Sequence, residues 1–472
     1  MRILRLICIM VIGVILMAFS IRAGEVKLKD SPNVKDKTTA QTPAAPLTKQ
    51  GKTEAWRLPK HAAHCEMKLL DKEGAGKLYQ IGDQLLCILE GTPEEIGFQH
   101  GRLLAKKVLH VAKEGYLKHA LYDKGYTLEI LNERAVRMEK FIPEEYIAEI
   151  KAIIRGCEAA GVSGVKYEEL RAGQMATEMA FYKPGEWPKM CTTWAMWGRW
   201  TPDGRQLIAR NTDWELETGA SDDAVNMIIR PKGRKAFFAP SFAGCVGAVL
   251  GINNAGIFVS SNSSTTCDES YDGIPYAILQ RLALEKASTL DEAVAIIRDA
   301  KRTIGVNYLI SDAKIPDARA LEADATDCEI FGPMDKKENK STLSTPMPDC
   351  VRRTNHPCGD KHFKKMIARM GKAYGVTPEN YRLAMPLLMG QDSWIRYDWL
   401  RRKMSEREGK MDPQACLELL CNGQVYGTDT LQSCVFDPKH NLVWVAEAQF
   451  TPKEVTAMDR EYTKIDLAPW FK

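Results

Sequence analysis

The sequence carries little net charge and none of the common cofactor signatures. Its formal net charge is only +4 over 472 residues, which argues against nucleic acid or an acidic polymer as a partner. It contains no P-loop and no glycine-rich dinucleotide fingerprint, and Cys416 and Cys421 lack the second pair of ligands that a zinc site needs. We therefore expect no cofactor, no metal and no nucleic acid.

A hydrophobic run long enough to cross a membrane is also missing. Arg2 and Arg5 precede an apolar run over residues 6–19, and small residues follow over 20–24. This run is shorter than the roughly 20 residues of a transmembrane helix, and the pattern is typical of a secretory signal peptide. We predict a signal peptide over 1–23 and export (periplasmic, secreted or lumenal), with an uncleaved membrane anchor as the alternative.

The next segment, residues 24–55, is rich in Lys, Thr, Pro and Ala without periodicity, which predicts a flexible linker. Folded structure is expected to begin near Trp56. The overall composition, 45% hydrophobic and 27% charged, is that of an ordinary globular protein.

Cysteine usage leaves the redox state open. Of the 13 cysteines, one lies in the predicted signal peptide, and a catalytic one would leave an odd number. Cys350 and Cys358 could pair, as could Cys416 or Cys421 with Cys434, but sequence alone assigns no disulfide.

The folded part divides into a helical half and a strand-rich half. Residues 61–90 indicate one or two short strands, and amphipathic patterns predict helices from 93 through 122 and over 127–142, 144–160 and 166–182. Residues 183–188 indicate a loop. Further on, strands are predicted over 224–230, 236–240, 246–262, 306–312, 318–323, 430–436 and 441–448, with a helix pair over 274–284 and 290–298. The pattern alone gives a mixed α/β or α+β domain.

A β-hairpin near the middle of the chain carries the most distinctive residues. Residues 192–200 and 206–210 read as two strands joined by a Thr-Pro-Asp-Gly turn. Cys191 heads the first strand, and the sequence Arg210-Asn-Thr-Asp213 ends the second. Because the strands are antiparallel, we expect the thiol, the guanidinium and the carboxylate to lie at the same end of the sheet.

This pattern, Cys-Thr…Asp-Gly…Arg-Asn-x-Asp, resembles the N-terminal-nucleophile (Ntn) hydrolases related to choloylglycine hydrolase and penicillin V acylase, and in particular the isopenicillin N acyltransferase group. The resemblance implies an α+β fold, the Ntn αββα sandwich. It also implies self-cleavage between Met190 and Cys191. Residues 56–190 would then be a mainly helical α subunit, and residues 191–472 the catalytic domain or β subunit.

The same resemblance extends to three downstream residues. Asn262 ends a strand that follows an Asn-Asn-Ala-Gly turn, where the choloylglycine group has an oxyanion-hole asparagine. Asn355 lies in a Thr-Asn-His-Pro motif similar to the one that supplies a second oxyanion donor. Arg396 is chosen over Arg401 and Arg402 as the match to a late family arginine, although the spacing there is loose.

The chemistry explains why the cysteine must become N-terminal. A free thiol has a pKa of about 8.5, and an α-amino group, with a pKa of about 7.7–8.0, can serve as its general base without a histidine. The resemblance implies that Arg210 stabilises the thiolate, that Asp213 orients the α-ammonium group, and that Asn262 and Asn355 hold the oxyanion. An acyl thioester on Cys191 would then form from a small-molecule N-acyl or amide substrate.

Two other functions remain open. A cysteine hydrolase could use His356 or His100 as its base and never cut itself, and an inactive secreted binding protein could retain the Ntn fold. For His100, which lies in the sequence Gly97-Phe-Gln-His-Gly101, a role in helix packing is the preferred reading. Hydrolysis is favoured over acyl transfer because an exported enzyme faces water. Association of the two cleavage products, and of copies of the chain into a homo-oligomer, also stays open.

Overall fold

Two antiparallel-rich β-sheets form the centre of this protein in its computed structural model, which describes residues 56–60, 66–180, 191–338, 344–374, 377 and 392–472. The larger sheet has the strand order β1-β2-β3-β6-β7-β8-β9-β10-β11-β12, and the smaller has the order β13-β4-β5-β14-β15-β16. In chain order the strands are β1 (Met67–Glu73), β2 (Gly76–Ile81), β3 (Gln84–Gly91), β4 (Cys191–Met196), β5 (Leu207–Asp213), β6 (Ala224–Pro231), β7 (Phe237–Phe242), β8 (Leu250–Asn253), β9 (Ile257–Ser263), β10 (Val306–Asp312), β11 (Asp317–Ala323), β12 (Cys328–Phe331), β13 (Cys350–Arg353), β14 (Thr430–Asp437), β15 (Leu442–Glu447) and β16 (Thr463–Asp466).

Helices cover the outer faces of both sheets. They are α1 (Pro93–Lys113), α2 (Tyr116–Ala120), α3 (Leu128–Glu139), α4 (Glu144–Ala159), α5 (Tyr167–Gln174), α6 (Ala176–Ala180), α7 (Tyr276–Lys286), α8 (Leu290–Asp299), α9 (Asp360–Tyr374), α10 (Asp392–Ser405) and α11 (Pro413–Leu420).

Three hydrophobic cores define the layers. One core lies between the sheets and includes Ile88 and Phe238 of the larger sheet and Ile208 of the smaller. A second joins the larger sheet to helices α1, α3–α5, α7 and α8, and a third joins the smaller sheet to α10 and α11. The order of layers is helix, sheet, sheet, helix. This confirms the predicted α+β fold and its αββα sandwich.

The segment before Cys191 contributes to the larger sheet as well as to the helical layer. It supplies three strands, β1–β3, where one or two were predicted, and β3 pairs in parallel with β6 from Leu86↔Asn226 to Gly91↔Pro231. The helix predicted over 166–182 is interrupted at Met175, which ends α5 before α6 begins. The predicted signal peptide (1–23), the linker (24–55), the loop over 183–188 and Met190 lie outside the described residues.

Glycines allow α1 and α4 to cross in close contact. A Cβ atom added at Gly101 would lie 1.9 Å from the Ile153 carbonyl oxygen, and one at Gly97 would lie 2.2 Å from that of Glu149. A Cβ at Gly156 on the facing helix would lie 2.2 Å from the Phe98 carbonyl oxygen. These glycines therefore set the distance between the two helices.

The predicted hairpins downstream are present. β4 and β5 pair antiparallel from Cys191↔Thr212 to Met196↔Leu207, although the first strand ends at Met196 instead of near residue 200. Thr289 caps α8 by accepting a hydrogen bond from the Glu292 amide, as its position before the helix predicts.

The eleven described cysteines are all free, so the disulfides considered for Cys350, Cys358, Cys416, Cys421 and Cys434 are not formed. Among the described residues, none of the helices has the length and apolar character needed to cross a membrane.

Candidate active site

Cys191 is the first residue of β4 and lies directly opposite Thr212 on β5. Its side chain is buried, with 7% of its surface exposed. Two residues further along the same pairing, Thr193 lies opposite Arg210. The register of the hairpin thereby brings the thiol and the guanidinium to the same end of the smaller sheet, as the sequence predicts.

Arg210 connects the thiol to the larger sheet. Its Nη2 lies 3.6 Å from Cys191 Sγ, while its Nη1 donates to Ser260 Oγ at 2.7 Å and to Asn262 Oδ1 at 2.7 Å. A further hydrogen bond from Nη1 to Thr193 Oγ1 measures 3.0 Å. A buried guanidinium held by this many acceptors is fixed in position, and it places a positive charge beside the sulfur.

Burial and charge act in opposite directions on the reactive groups. Burial raises the pKa of the Cys191 thiol, while Arg210, Arg396 and a backbone hydrogen bond from Asp213 favour the thiolate. Burial also raises the pKa of the Asp213 carboxyl to about 7, although Arg396 and the Thr430 hydroxyl oppose the shift. Burial thus favours the neutral form of both the thiol and the carboxyl.

Asn355 and Arg396 hold the backbone of residue 191. The Cys191 nitrogen donates to Asn355 Oδ1 at 2.6 Å, and Arg396 Nη1 donates to the Cys191 carbonyl oxygen at 2.6 Å and to Thr192 Oγ1 at 2.7 Å. Arg396 Nη2 also donates to Asn355 Oδ1 at 3.0 Å. The structure therefore places Arg396 in the site, whereas Arg401 and Arg402 pair with Asp398 on the same helix, and each is at least a third exposed.

Asn262 is in the cluster but does not face the thiol through its amide nitrogen. Its Nδ2 donates to the backbone carbonyl oxygens of Arg353 at 2.8 Å and Thr354 at 3.3 Å, and its Oδ1 accepts from Arg210 and Thr193. In this arrangement Asn262 joins β9 to the smaller sheet and orients Arg210. The Nδ2 of Asn355 likewise donates to the Ser263 carbonyl oxygen at 2.9 Å.

Three positioning residues were missed by sequence reasoning. Ser260 accepts from Arg210, Ser393 Oγ accepts from the Asn355 backbone N–H at 2.8 Å, and Thr430 donates to Asp213. A signal was available for Ser260, because it lies two residues before Asn262 on β9 and hence on the same face of that strand. No local pattern marks Ser393 or Thr430, which reach the site from distant parts of the chain.

The two histidines considered as bases contact groups other than the Cys191 thiol. Burial lowers the pKa of His100 to about 3, and its Nε2 accepts the Gly244 amide at 2.8 Å, which is the packing role preferred from the sequence. His356 stacks on Trp394 with ring centroids 4.1 Å apart, and its Nδ1 contacts Ser393 Oγ at 2.8 Å. No histidine is among the described residues that line the cavity at Cys191.

That cavity has a volume of about 150 Å³ and largely apolar walls. Cys191, Arg210 and Asp213 are among the polar residues that line it. The apolar wall residues come from both halves of the chain: Val111, Tyr116, Trp214, Phe242, Val249, Tyr276, Ile304, Val306 and Leu431. Such a cavity suits an apolar group attached to a reacting carbonyl.

Among the residues that the structure describes, two acidic clusters elsewhere have the spacing of metal ligands. In one, Glu322, Glu329 and His362 lie close together, but Arg353 already contacts Glu322 at 3.0 Å. In the other, Asp268, Asp324 and Asp327 surround the Lys365 ammonium group at 2.6–2.8 Å. In each cluster a buried or half-buried cation balances the acids.

Comparison with known protein families gives a match over residues 200–451, more than half of the chain. The matching family is described as acyl-coenzyme A:6-aminopenicillanic acid acyl-transferase. The match begins downstream of Cys191 and includes Arg210, Asp213, Asn262, Asn355 and Arg396.

Among curated proteins, an uncharacterized protein of Archaeoglobus fulgidus is 26% identical over 271 residues, which are 52% of this chain and 45% of that protein. Protein dcd1A of Dictyostelium discoideum is 24% identical over 341 residues, 61% of this chain and 73% of that protein. The similarity thus spans about half the length of the archaeal relative.

Solved structures with similarity include the Caenorhabditis elegans ortholog of N-acylethanolamine-hydrolyzing acid amidase. It is 16% identical, with a TM-score of 0.38, over 52% of this chain and 93% of that one. A variant of the conjugated bile acid hydrolase of Clostridium perfringens is 14% identical, with a TM-score of 0.37, over 59% of this chain and 93% of that one.

Proposed function

Since this chain belongs to the acyl-coenzyme A:6-aminopenicillanic acid acyl-transferase family, a group of Ntn acyltransferases and amide-cleaving hydrolases, we propose that it is a self-processing cysteine hydrolase. It cleaves a linear amide bond through an acyl thioester on Cys191. The observation that carries this proposal is the cluster around the first residue of β4. Arg210 lies 3.6 Å from the Cys191 sulfur, and Asn355 lies 2.6 Å from the Cys191 nitrogen.

Processing comes first in the proposed mechanism. The Cys191 thiol attacks the Met190 carbonyl carbon, the peptide C–N bond breaks, and the acyl group passes from nitrogen to sulfur. Water then opens this thioester, which leaves a carboxylate on Met190 and a free α-amino group on Cys191. Arg210 favours the thiolate, and Arg396 holds the Cys191 backbone by donating a hydrogen bond to the Cys191 carbonyl oxygen.

Substrate cleavage then uses the new amine as the base. The α-amino nitrogen takes the thiol proton, sulfur bonds to the substrate carbonyl carbon, and the proton is passed to the leaving amine as the amide C–N bond breaks. Water hydrolyses the acyl thioester to a carboxylic acid and restores the thiol. Once the chain is cut, the Asn355 side-chain oxygen accepts from the ammonium group, and its Nδ2, which also donates to Ser263, donates to the oxyanion.

The proposed substrate is an N-acyl amide with an apolar acyl group. Support comes from the apolar walls that adjoin Cys191, including Phe242, Val249 and Leu431. Burying an apolar acyl group against these walls would favour substrate binding by roughly 25 cal/mol per Å² of apolar surface removed from water. Hydrolysis is proposed over transfer because the chain is proposed to be exported through residues 1–23.

Intact mass of the purified protein tests this function. The wild type is expected as two fragments split before Cys191, whereas Cys191→Ala is expected as one chain. The matched control is Cys245→Ala, because Cys245 is a second thiol in the wall of the same cavity and its removal is expected to leave processing intact. A single uncut chain in all three proteins would exclude the α-amino base and with it the proposed function.

A further inference from the structure

Three hydroxyl groups lie together in the wall of the active-site cavity. They belong to Tyr116 on α2, Thr177 on α6 and Tyr276 on α7, and all three residues line the cavity with Cys191. Thr177 Oγ1 lies 3.4 Å from the Tyr276 hydroxyl, within hydrogen-bonding distance. We call these three residues the hydroxyl cluster. The chemistry of Cys191 described above does not use it.

The number of hydrogens in the hydroxyl cluster exceeds the number of contacts. Each hydroxyl has one hydrogen to donate, so the three groups carry three, while the contact between Thr177 and Tyr276 uses one. Among the described residues, hydrogens that this contact does not use can be donated to a group inside the cavity. Since a buried donor without an acceptor costs free energy, a ligand oxygen at this point would be favoured over a hydrocarbon.

The surroundings of the hydroxyl cluster select a neutral acceptor. Burial raises the pKa of both Tyr116 and Tyr276 well above its usual value, so both stay protonated donors. The buried Glu178 carboxyl, which accepts the Tyr276 backbone N–H at 2.7 Å, acts electrostatically on both phenols in the same direction. Above the raised pKa of Glu178, about 7, its negative charge would repel a ligand carboxylate here, whereas an ether, keto or hydroxyl oxygen carries no charge to be repelled.

The cluster is also close to the reacting atoms. The Cys191 thiol and the Arg210 guanidinium both act electrostatically on the Tyr276 hydroxyl. At the other end of the cluster, the Tyr116 ring packs on Trp214 with centroids 6.2 Å apart. An acyl group bound on Cys191 would therefore occupy the same cavity as the Tyr276 hydroxyl.

We propose that the hydroxyl cluster makes this enzyme selective for acyl groups that carry a neutral oxygen substituent a few atoms from the scissile carbonyl. The proposal rests on the amidohydrolase function proposed above and narrows its substrate class. Tyr276 and Tyr116 supply donors to the cavity that Cys191 lines, and the Tyr116 ring is held in place by Trp214.

The test compares a hydrocarbon acyl chain with oxygen-containing isosteres. Octanoyl p-nitroanilide is assayed beside analogues in which each methylene beyond the α carbon is replaced in turn by an ether oxygen. Selectivity is the ratio of kcat/KM for the ether to that for the hydrocarbon. For the ether whose oxygen lies at the favoured chain position, Tyr276→Phe and Tyr116→Phe are each expected to lower this ratio about three- to tenfold relative to the wild type. That is the effect of one lost hydrogen bond.

Tyr79→Phe is the matched control, because Tyr79 packs on Trp470 outside the cavity. It is expected to keep the wild-type selectivity. The proposal is overturned if all four proteins show the same selectivity at every position. It is also overturned if Tyr276→Phe slows every substrate equally, since that result would assign Tyr276 to the chemical step.

A second measurement separates this proposal from the amidohydrolase function. If the wild type hydrolyses none of the anilides, binding of the same compounds to Cys191→Ala is measured by calorimetry, with and without Tyr276→Phe. Tighter binding of one ether analogue that disappears with Tyr276→Phe supports the hydroxyl cluster although the amidase function fails. Equal binding of ethers and hydrocarbon overturns it.

Discussion

The reactivity of Cys191 depends on a balance between burial, which raises the pKa of its thiol, and the Arg210 guanidinium, which lowers it. Replacing Arg210 by Gln keeps a hydrogen-bonding side chain but removes the charge 3.6 Å from the sulfur. We expect the pH midpoint for alkylation of Cys191 by iodoacetamide, followed by peptide mass mapping, to rise by about one unit or more. Arg199→Gln, at an exposed arginine of the same hairpin, should not move the midpoint. An unchanged midpoint in Arg210→Gln would show that this charge does not stabilise the thiolate.

Glu178 gives a second prediction at the level of single residues, this time for stability. Burial raises the pKa of its carboxyl to about 7, and its Oε2 has no hydrogen-bond partner among the described residues. The folded state therefore binds the proton more tightly than the unfolded state. The contribution of Glu178 to stability is present at low pH and is lost as the pH rises from about 4.5 through 7.

Glu178→Gln imitates the protonated carboxyl and removes this dependence. The stability gain of the variant over the wild type should be larger at pH 8 than at pH 5.5 by about 2 kcal/mol, for a carboxyl whose pKa is raised to about 7. Urea unfolding at the two pH values measures the difference. Glu129→Gln, on the exposed first turn of α3, serves as control. A wild-type advantage at pH 8 would contradict the prediction.

At the level of elements, the contact between α1 and α4 depends on glycine. A Cβ at Gly101 would overlap the Ile153 carbonyl, and backbone cannot move aside as a flexible side chain can. We expect Gly101→Ala to destabilise the protein by about 2–4 kcal/mol in chemical denaturation. Gly173→Ala is the matched control in helix α5, where the added methyl meets only a side chain at 3.7 Å. It should be neutral or stabilising by up to about 1 kcal/mol, and equal losses in both variants would rule out the packing explanation.

Helix α10 carries both a site arginine and exposed arginines, which gives a controlled comparison on one element. Arg396 contacts the Cys191 carbonyl oxygen, Thr192 and Asn355 with a planar fork of donors. Arg396→Lys keeps the charge but loses the fork, so residue 191 is held less firmly, and self-cleavage should slow by about 10²-fold. Time courses of fragment formation measure this. The control is Arg402→Lys, because the Arg402 side chain is more than half exposed, and this variant should process at the wild-type rate. If Arg396→Lys also processed at the wild-type rate, Arg396 would act only through its charge.

Turn and helix-capping residues in the sequence correctly predicted the hairpin and the helix start that they mark. The Thr-Pro-Asp-Gly turn predicted the β4–β5 hairpin and so the approach of Arg210 to Cys191. In contrast, the parallel pairing of β3 with β6 joins segments more than a hundred residues apart and leaves no mark in either strand. The same holds for Ser393, whose contact with Asn355 depends on where α10 packs. Family resemblance supplied Arg396, for which the spacing alone was loose.

At the scale of the whole molecule, the residues before Cys191 contribute to both the larger sheet and the cavity at Cys191. Strands β1–β3 form one end of the larger sheet, where β3 pairs with the edge of β6. Val111, Tyr116 and Thr177 line the cavity together with Cys191. Removing this segment would expose the edge of β6 and the apolar faces that helices α1, α3, α4 and α5 cover. Both effects are costly in water.

We therefore predict that the two products of self-cleavage stay bound to each other. After processing, residues up to 190 and residues 191–472 should co-elute in size-exclusion chromatography in native buffer and separate only in denaturant. The uncut Cys191→Ala protein is the size reference. Hydrolytic activity should be lost when the fragments separate, because the cavity then lacks the wall that Val111, Tyr116 and Thr177 provide. An active, monodisperse 191–472 fragment on its own would show instead that the segment before Cys191 serves only until the chain is cut.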